Sequence, residues 1–412
     1  MGRKTSYFMG LVSGMALMVV VWVAFTPFID MQLPTNNAAF SAPPAVTASQ
    51  EMDMEAISHK LSHIHRIIEQ NYIGEFDLDF AIDMMFTGFV YGVGDPYTTY
   101  MDSEGFAAFQ EDTDGTFIGI GVSITVDTAD NRILVISPFD GSPAFEAGVL
   151  PGDKIIRVNG YEVFGDNLNE AIRMMRGEAG TEVVVTVLRE SSDTIFDVSI
   201  IRDVIQVETV RSDIIDDNIG YIRISQFDRV TYDQFAAAYN ELMNQDIEGL
   251  ILDLRNNPGG LLHIVNRITN MLIPEGIITY TEDVHGNREY VYSDANHIEI
   301  PLIVLVNGNS ASASEVLSGA VRDTGVGELL GTTTFGKGLV QNIFPLNDGS
   351  ALKVTVARYF TPAGISIHGE GIIPNHYVEM EQELTNNLSR LSLEEDVQLL
   401  EAISVINEKI NE

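Results

Sequence analysis

Between Gly220 and Asp323 two kinds of pattern alternate. GYIRISQF (220–227), GLILDLR (249–255) and PLIVLVN (301–307) are short aliphatic runs of strand length. TYDQFAAAYNELMN (231–244), PGGLLHIVNRITNML (258–272) and SASEVLSGAVRD (312–323) lie between and after them with helical character. A helix inserted between consecutive strands brings the chain back to the end of the sheet where the previous strand began, so the strands run parallel. Residues 204–380 are therefore expected to form an α/β core with parallel strands. In such sheets ligands collect beyond the carboxyl ends of the strands, where glycine-rich turns lead into helix N-termini.

The flanks read differently. Residues 113–203 are β-rich, with FIGIGVSITV (117–126), RILVISPF (132–139), TEVVVTVLRE (181–190) and IFDVSIIRD (195–203) separated by Gly and Pro turns, and one helix over Asn167–Met175. Residues 51–112 are helical, with Ile57, Leu61, Ile64 and Ile68 on one face and a second helix over Leu78–Val90 that stops at GVGDP (92–96). Residues 381–412 form a C-terminal helical segment. At the other end, Arg3 and Lys4 precede an uncharged run from Tyr7 to Phe25. At 1.5 Å per residue this run reaches roughly 28 Å, about one hydrocarbon thickness. Residues 1–27 are thus expected to be a signal or membrane anchor with the body outside, and residues 28–50 a tether. The small residues near Ala38 leave cleavage open.

Composition excludes several classes. With 23 Lys+Arg against 59 Asp+Glu the formal charge is −36, which opposes a nucleic-acid partner. The chain has no cysteine, hence no disulfide, thiol nucleophile or thiolate metal site. His59 and His63 stand one turn apart, but without a carboxylate at matching spacing they read as an exposed helix face, and no metal or other cofactor is expected.

Two strand ends hold candidate chemistry. In LILDLRNNPGG (250–260), Gly259 and Gly260 can turn the backbone so that N–H groups point outward, as an oxyanion hole needs; a plain tight turn is the other reading. In NGNSASASE (307–315), Ser310, Ser312 and Ser314 are all candidate nucleophiles at a helix start, and the N–H of Ala313 follows the middle one. Ser312-x-x-Glu315 is equally a capping-box pattern, which would make Ser312 a helix cap only. No histidine stands in a G-x-S-x-G or GNSGG context, although His263 could approach from the helix after Gly260. Lys337 lies between two glycines in the apolar and hydroxylic stretch GTTTFGKGLVQ (331–341). Burial there would lower its pKa and let a neutral amine accept a serine proton. Gln341, four residues on, could orient that amine.

Together these segments resemble the C-terminal processing, or tail-specific, peptidases. DPYTTYM (95–101), LILDLRNNPGG, NGNSASASEVLSGAVRD, GTTTFGKGLVQ and DGSALKVTVARYFTPAGISIHGEGIIPN (348–375) occur in that family's order across about residues 55–380. The resemblance implies a crotonase-like α/β peptidase core, with Ser312 as nucleophile, Lys337 as general base and Gln341 positioning the lysine. The oxyanion donors would be Ala313 N–H and a glycine of Pro258–Gly260, and Asp323 would support local structure. Ile365 and Asn375 depart from the family pattern where a basic residue and Asp are common.

The β-rich module resembles a PDZ domain, most specifically in GVLPGDKIIRVNG (148–160). Gly119, Ile120, Gly121 and Val122 fit its carboxylate-binding loop, which captures a chain terminus as the ligand adds a strand. The fold class expected is thus multidomain α/β, with a PDZ-like module before the core, helical ends and an N-terminal anchor. The implied activity is a Ser–Lys endopeptidase acting on extracytoplasmic protein C-termini at a bacterial membrane, with the PDZ module gating the site and a homodimer as the assembly. The alternatives are a PDZ adaptor with an inactive core, a Ser–His–Asp protease, and an acyl-CoA-handling enzyme.

Overall fold

The computed structural model describes residues 51–411 apart from 217, 387, 389 and 390, so the run at 7–25 and the 28–50 tether lie outside it. Among the described residues no helix is long and apolar enough to cross a membrane. Helices α1 (Met54–Asn71) and α2 (Leu78–Tyr91) begin at Asp53 and Asp77, whose carboxylates accept the N–H groups of Ala56 and Phe80 at 2.9 and 3.0 Å. No residue of α1 and only Val90 of α2 is buried. Strand β1 (Thr99–Met101) and helix α3 (Ser103–Asp114) lead into the β-rich module.

That module contains β2 (Thr116–Gly119), β3 (Val122–Asp127), β4 (Arg132–Pro138), the single turn α4 (Pro143–Glu146), β5 (Lys154–Val158), β6 (Tyr161–Glu162), α5 (Leu168–Met175), β7 (Glu182–Arg189), β8 (Thr194–Ile201) and β9 (Asp203–Gln206). Its sheet has the order β3-β4-β5-β7-β8, and β2 pairs separately with β9 at the root. Alternation in EVVVTVLR buries Val183, Val185 and Val187 against Ile133, Ile155 and Ala171. The helix expected over Asn167–Met175 is present, its first turn being a 3₁₀ segment at Gly165–Asn167.

The core comprises β10 (Val210–Ile215), β11 (Ile219–Ile224), α6 (Thr231–Met243), β12 (Gly249–Asp253), α7 (Leu262–Asn270), β13 (Gly276–Asp283), β14 (Arg288–Ser293), β15 (Leu302–Val306), α8 (Ala313–Thr324), β16 (Glu328–Gly331), β17 (Leu339–Pro345), β18 (Ala351–Phe360), β19 (His376–Tyr377), α9 (Gln382–Asn386) and α10 (Val397–Ile410). The main sheet has the order β10-β11-β12-β15-β16-β19, with every pair parallel except β10–β11. β12 and β15 are buried at all five positions, as strands covered on both faces must be. Leu250, Leu252, Val304 and Val306 pack toward α6, α7 and α8, while Ile251, Ile303 and Leu305 pack toward Ala402, Val405 and Ile406 of α10. Each such side chain contributes about 1.5–3 kcal/mol through burial.

Strand–helix alternation stops after β16. A second sheet of the core is antiparallel: β18 pairs β17 along one edge and β1 then β13 along the other, and β13 carries β14. The turn between β17 and β18 closes through Asp348, which accepts from Ser350 N–H at 3.0 Å.

Candidate active site

The three serines of the 307–315 turn separate by what their hydroxyls do. Ser310 Oγ donates to Leu254 O at 2.8 Å and accepts from Asn307 N–H at 2.9 Å, and Ser314 Oγ donates to Asn257 O at 3.0 Å. Both are fully buried and stitch this turn onto the strand end at 254–257. Ser312 is half-buried and makes no side-chain cap hydrogen bond. Its backbone lies at φ 56°, ψ −112°, a region normally held by glycine, at the junction of β15 and α8. A strained strand-to-helix turn of this kind lifts a serine hydroxyl clear of the backbone.

Of the capping-box pattern, the half that forms a hydrogen bond is that of Glu315. Its carboxylate accepts from Ser312 N–H at 2.9 Å, Gly336 N–H at 2.7 Å, Lys337 N–H at 2.8 Å and Thr334 Oγ1 at 2.6 Å. Burial pushes the Glu315 carboxyl up, and these four donors oppose that shift. Glu315 therefore ties the serine turn to the lysine loop. Tyr359 ties them again, its hydroxyl lying on the carbonyl oxygens of Ser312, at 2.8 Å, and Lys337.

Lys337 is partly buried, and its Nζ lies 4.9 Å from the centre of the Tyr97 ring. Burial first, and the positive charge of Lys353 next, push its pKa down to about 8, against Glu315 and Asp95, which favour the ammonium. Among the described residues no hydrogen bond joins Lys337 Nζ to the Ser312 hydroxyl. Gln341 sits at a bulge where Val340 opposes Ala357 and Gln341 opposes Thr355. Its Nε2 is buried without a partner, so it holds an unused donor.

The glycine turn narrows the oxyanion expectation. Gly259, at φ 106°, lies so close to the serine turn that an added Cβ would come within 2.9 Å of both Ala313 N and Ser312 Cβ. Its N–H, however, donates to Asn257 Oδ1 at 2.8 Å. Of the two glycines, Gly260 is the one whose N–H, like that of Ala313, meets no acceptor among the described residues. Phe227 bridges Gly260, with Phe227 N–H on Gly259 O at 2.9 Å and Leu261 N–H on Phe227 O at 2.7 Å.

The other residues named from sequence have plain places. Asp323 pairs with Arg322 at 2.9 Å and accepts from Ala363 N–H at 3.0 Å, joining the end of α8 to the 361–365 turn. Ile365 is exposed there, and Asn375 accepts from Leu329 N–H at 2.9 Å beside β16. His263 is exposed on α7 and makes no hydrogen bond to Ser312. In the β-rich module Gly119 ends β2 and Val122 starts β3; between them the N–H groups of Ile120 and Gly121 have no acceptor among the described residues. Sequence reading did not find Tyr97, Lys353 or Tyr359, although each lies inside one of the five segments that resemble the family, and it took Glu315 for a helix cap alone.

Residues 218–378 match Peptidase family S41, and residues 135–189 match the PDZ domain. The chain is 38% identical over 363 residues to the carboxy-terminal processing protease CtpA of Bacillus subtilis, covering 88% of this chain and 75% of that one. It is 37% identical over 343 residues to a carboxy-terminal-processing protease of Bartonella bacilliformis, covering 81% and 78%. Among solved structures, the photosystem II D1 C-terminal processing protease shares 31% identity with a TM-score of 0.46, over 78% of this chain and 86% of that one. The chain carries a PDZ domain and a peptide-hydrolase core, and it belongs to the carboxy-terminal processing proteases of peptidase family S41.

Proposed function

We propose that this protease is a serine endopeptidase in which Ser312 attacks and Lys337 is the general base. The observation that carries the reading is that Ser312 alone of three neighbouring serines keeps an uncommitted hydroxyl, while Glu315 binds its turn to that of a lysine poised at about 8. The neutral Lys337 amine takes the Ser312 proton as Oγ bonds to the scissile carbonyl carbon. The N–H groups of Ala313 and Gly260 stabilise the resulting oxyanion. Lys337 then gives its proton to the leaving amine as the C–N bond breaks, and water hydrolyses the Ser312 ester by the same route. Because Lys337 rests on Tyr97, its side chain has to swing toward Ser312, and the spare Gln341 Nε2 sits where it can help orient the residues around it.

The substrates proposed are flexible C-terminal segments of extracytoplasmic proteins. The free N–H groups of Ile120 and Gly121 support capture of a terminal carboxylate by the PDZ domain, which in this reading also gates the site. The 7–25 run supports an anchor in a bacterial cell membrane. The exposed apolar residues of α1 and α2, among them Ile57, Leu61, Ile64, Phe80 and Phe89, support a homodimer formed through these helices.

The test is cleavage of an unfolded model protein by the full-length chain beside Ser312→Ala and Lys337→Ala. Activity in the parent and loss in both variants upholds the dyad; retained activity in Lys337→Ala overturns it. Deleting 113–203 without effect on peptide-stimulated cleavage would remove the gating role. A monomer by sedimentation would remove the dimer.

A further inference from the structure

Cations in this acidic chain are mostly matched where they are buried. Lys154 lies 2.8–2.9 Å from Asp127, Asp130 and Glu190, Arg189 pairs with Asp153 at 2.7 Å, and Arg255 pairs with Asp253 and Asp396 at 2.7 Å. Lys353 breaks the pattern. It is partly buried in β18, and among the described residues its ammonium makes no ion pair or hydrogen bond; it lies 5.8 Å from the centre of the Phe109 ring.

Its place in the sheet puts it beside the site. Cross-strand pairs share a face, and Gln341 pairs with Thr355 while Ile343 pairs with Lys353. Lys353 therefore stands on the face that carries Gln341. On the other edge of β18 it pairs with Thr99, two residues after the Tyr97 ring on which the Lys337 ammonium rests. Thr355 N–H reaches Thr98 Oγ1 at 3.1 Å and closes this corner. The charged groups that face Lys337 are Lys353 from β18, Glu315 from α8 and Asp95 from the turn before β1. Both carboxylates favour a charged Lys337; burial first, and then Lys353 as the one positive charge among these groups, oppose it.

Building on the reading of Lys337 as the base, we propose that Lys353 is a positioning residue for it: an unmatched ammonium on the Gln341 face that disfavours a second positive charge and, together with burial, makes the Lys337 ammonium easier to deprotonate. A paired Lys353 would exert little such force, because a carboxylate beside it would cancel its field. Its lack of a partner in a chain with 59 acidic residues is then part of the device.

The experiment compares the full-length wild type with Lys353→Met and Lys353→Arg in two readouts. One is kcat/KM against pH. The other is the titration of Lys337 itself, followed by mass spectrometry of competitive amine acetylation, which needs no turnover. Lys353→Met is expected to move both the rising limb of the rate profile and the Lys337 titration up by about one pH unit, with a roughly tenfold loss at pH 7 that closes at alkaline pH. Lys353→Arg keeps the charge and is expected to keep both near wild type. An unmoved Lys337 titration in Lys353→Met overturns the proposal, whatever happens to the rate. A moved titration with an unmoved rate profile upholds the effect of Lys353 and overturns Lys337 as the base.

Discussion

Glu315 accepts the backbone N–H of Lys337 at 2.8 Å through the same oxygen, Oε2, that accepts the N–H of Ser312 at 2.9 Å. One carboxylate atom therefore fixes the relative position of two segments 25 residues apart in sequence, and the other atom holds Gly336 and Thr334. Glu315→Gln replaces one acceptor with an NH₂ facing donors, leaving at least one buried donor unmatched at about 1–3 kcal/mol. We expect a loss of about 2–4 kcal/mol in urea unfolding, and a fall in kcat/KM of roughly 100-fold that persists where the variant is fully folded. Wild-type kinetics in folded Glu315→Gln would show that the clamp does not set the site's geometry.

The pH dependence of cleavage rests on Lys337. The reactive form is the neutral amine, and with a pKa of about 8 only about a tenth of it is neutral at pH 7. The logarithm of kcat/KM should rise with unit slope from pH 6 and level off above about pH 8. A profile that is flat across pH 6–9 in a continuous assay would remove Lys337 as the base.

How far these features were legible differs by kind. The parallel core was readable because helices separate β11, β12 and β15, and because β12 and β15 carry near-continuous aliphatic runs. Lys337 stood out locally by its uncharged neighbours, whereas local context left Ser310, Ser312 and Ser314 equivalent at the helix start and only the family resemblance chose the middle one. The antiparallel sheet of β1, β13, β14, β17 and β18 was not foreseen, because the pairings of β1 and β13 with β18 join segments such as Thr99 and Lys353 that nothing local connects. For the same reason Tyr97 and Lys353 were missed: their effect on Lys337 exists only once β1 lies along β18. Glu315 showed its cap pattern in the sequence, but its reach to Gly336 and Lys337 is a tertiary fact. Gly259 and Gly260 were equivalent as letters and became distinct only when Asn257 took one N–H.

Gly259 is held by space as well as by conformation. At φ 106° a side chain is strained, and its Cβ would lie 2.7 Å from Ala311 O and 2.9 Å from Ser312 Cβ, neither of which can move without shifting the serine turn. Gly259→Ala is expected to abolish measurable cleavage and to cost about 2–4 kcal/mol of stability. Near-normal cleavage by a purified, folded Gly259→Ala would mean that the turn has slack.

Asp228 couples stability to pH. It lies 5% exposed in the loop after β11, next to Phe227, and burial pushes its carboxyl up to about 6 despite a hydrogen bond from Gln226 and with Asp112 adding to the rise. The fold thus binds this proton more tightly than the unfolded chain, whose carboxyl titrates near 3.9. The stability that this group contributes is full below about pH 4, falls as pH rises, and is gone above about 6. Asp228→Asn, which can still accept from Gln226, should be neutral at pH 4 and more stable than wild type by about 1–3 kcal/mol at pH 7.5. Urea titrations at both values check it, and an equal effect at both would rule out the linkage.

The last prediction concerns a buried cation just before the glycine turn begins. The Arg255 guanidinium is 1% exposed and bridges Asp253, at 2.7 and 3.0 Å, to Asp396 at the start of α10, at 2.7 and 2.8 Å. Asn256 adds a second tie, its Nδ2 donating to Thr385 O at 2.7 Å. The C-terminal segment is thereby anchored to the residues that lead into Asn257–Gly260. Asp396→Ala leaves Arg255 with Asp253 as its remaining carboxylate and also removes the cap that accepts Leu399 N–H at 3.0 Å. Breaking a buried pair from one side costs about 3–5 kcal/mol, and losing the cap adds about 1. Cleavage should fall as well, measured at a temperature where the variant remains folded, because the turn bearing Gly260 loses its rear support. If stability drops by that amount while kcat/KM stays at the wild-type value, the C-terminal helix serves the fold alone and Arg255 does not transmit its position to the site.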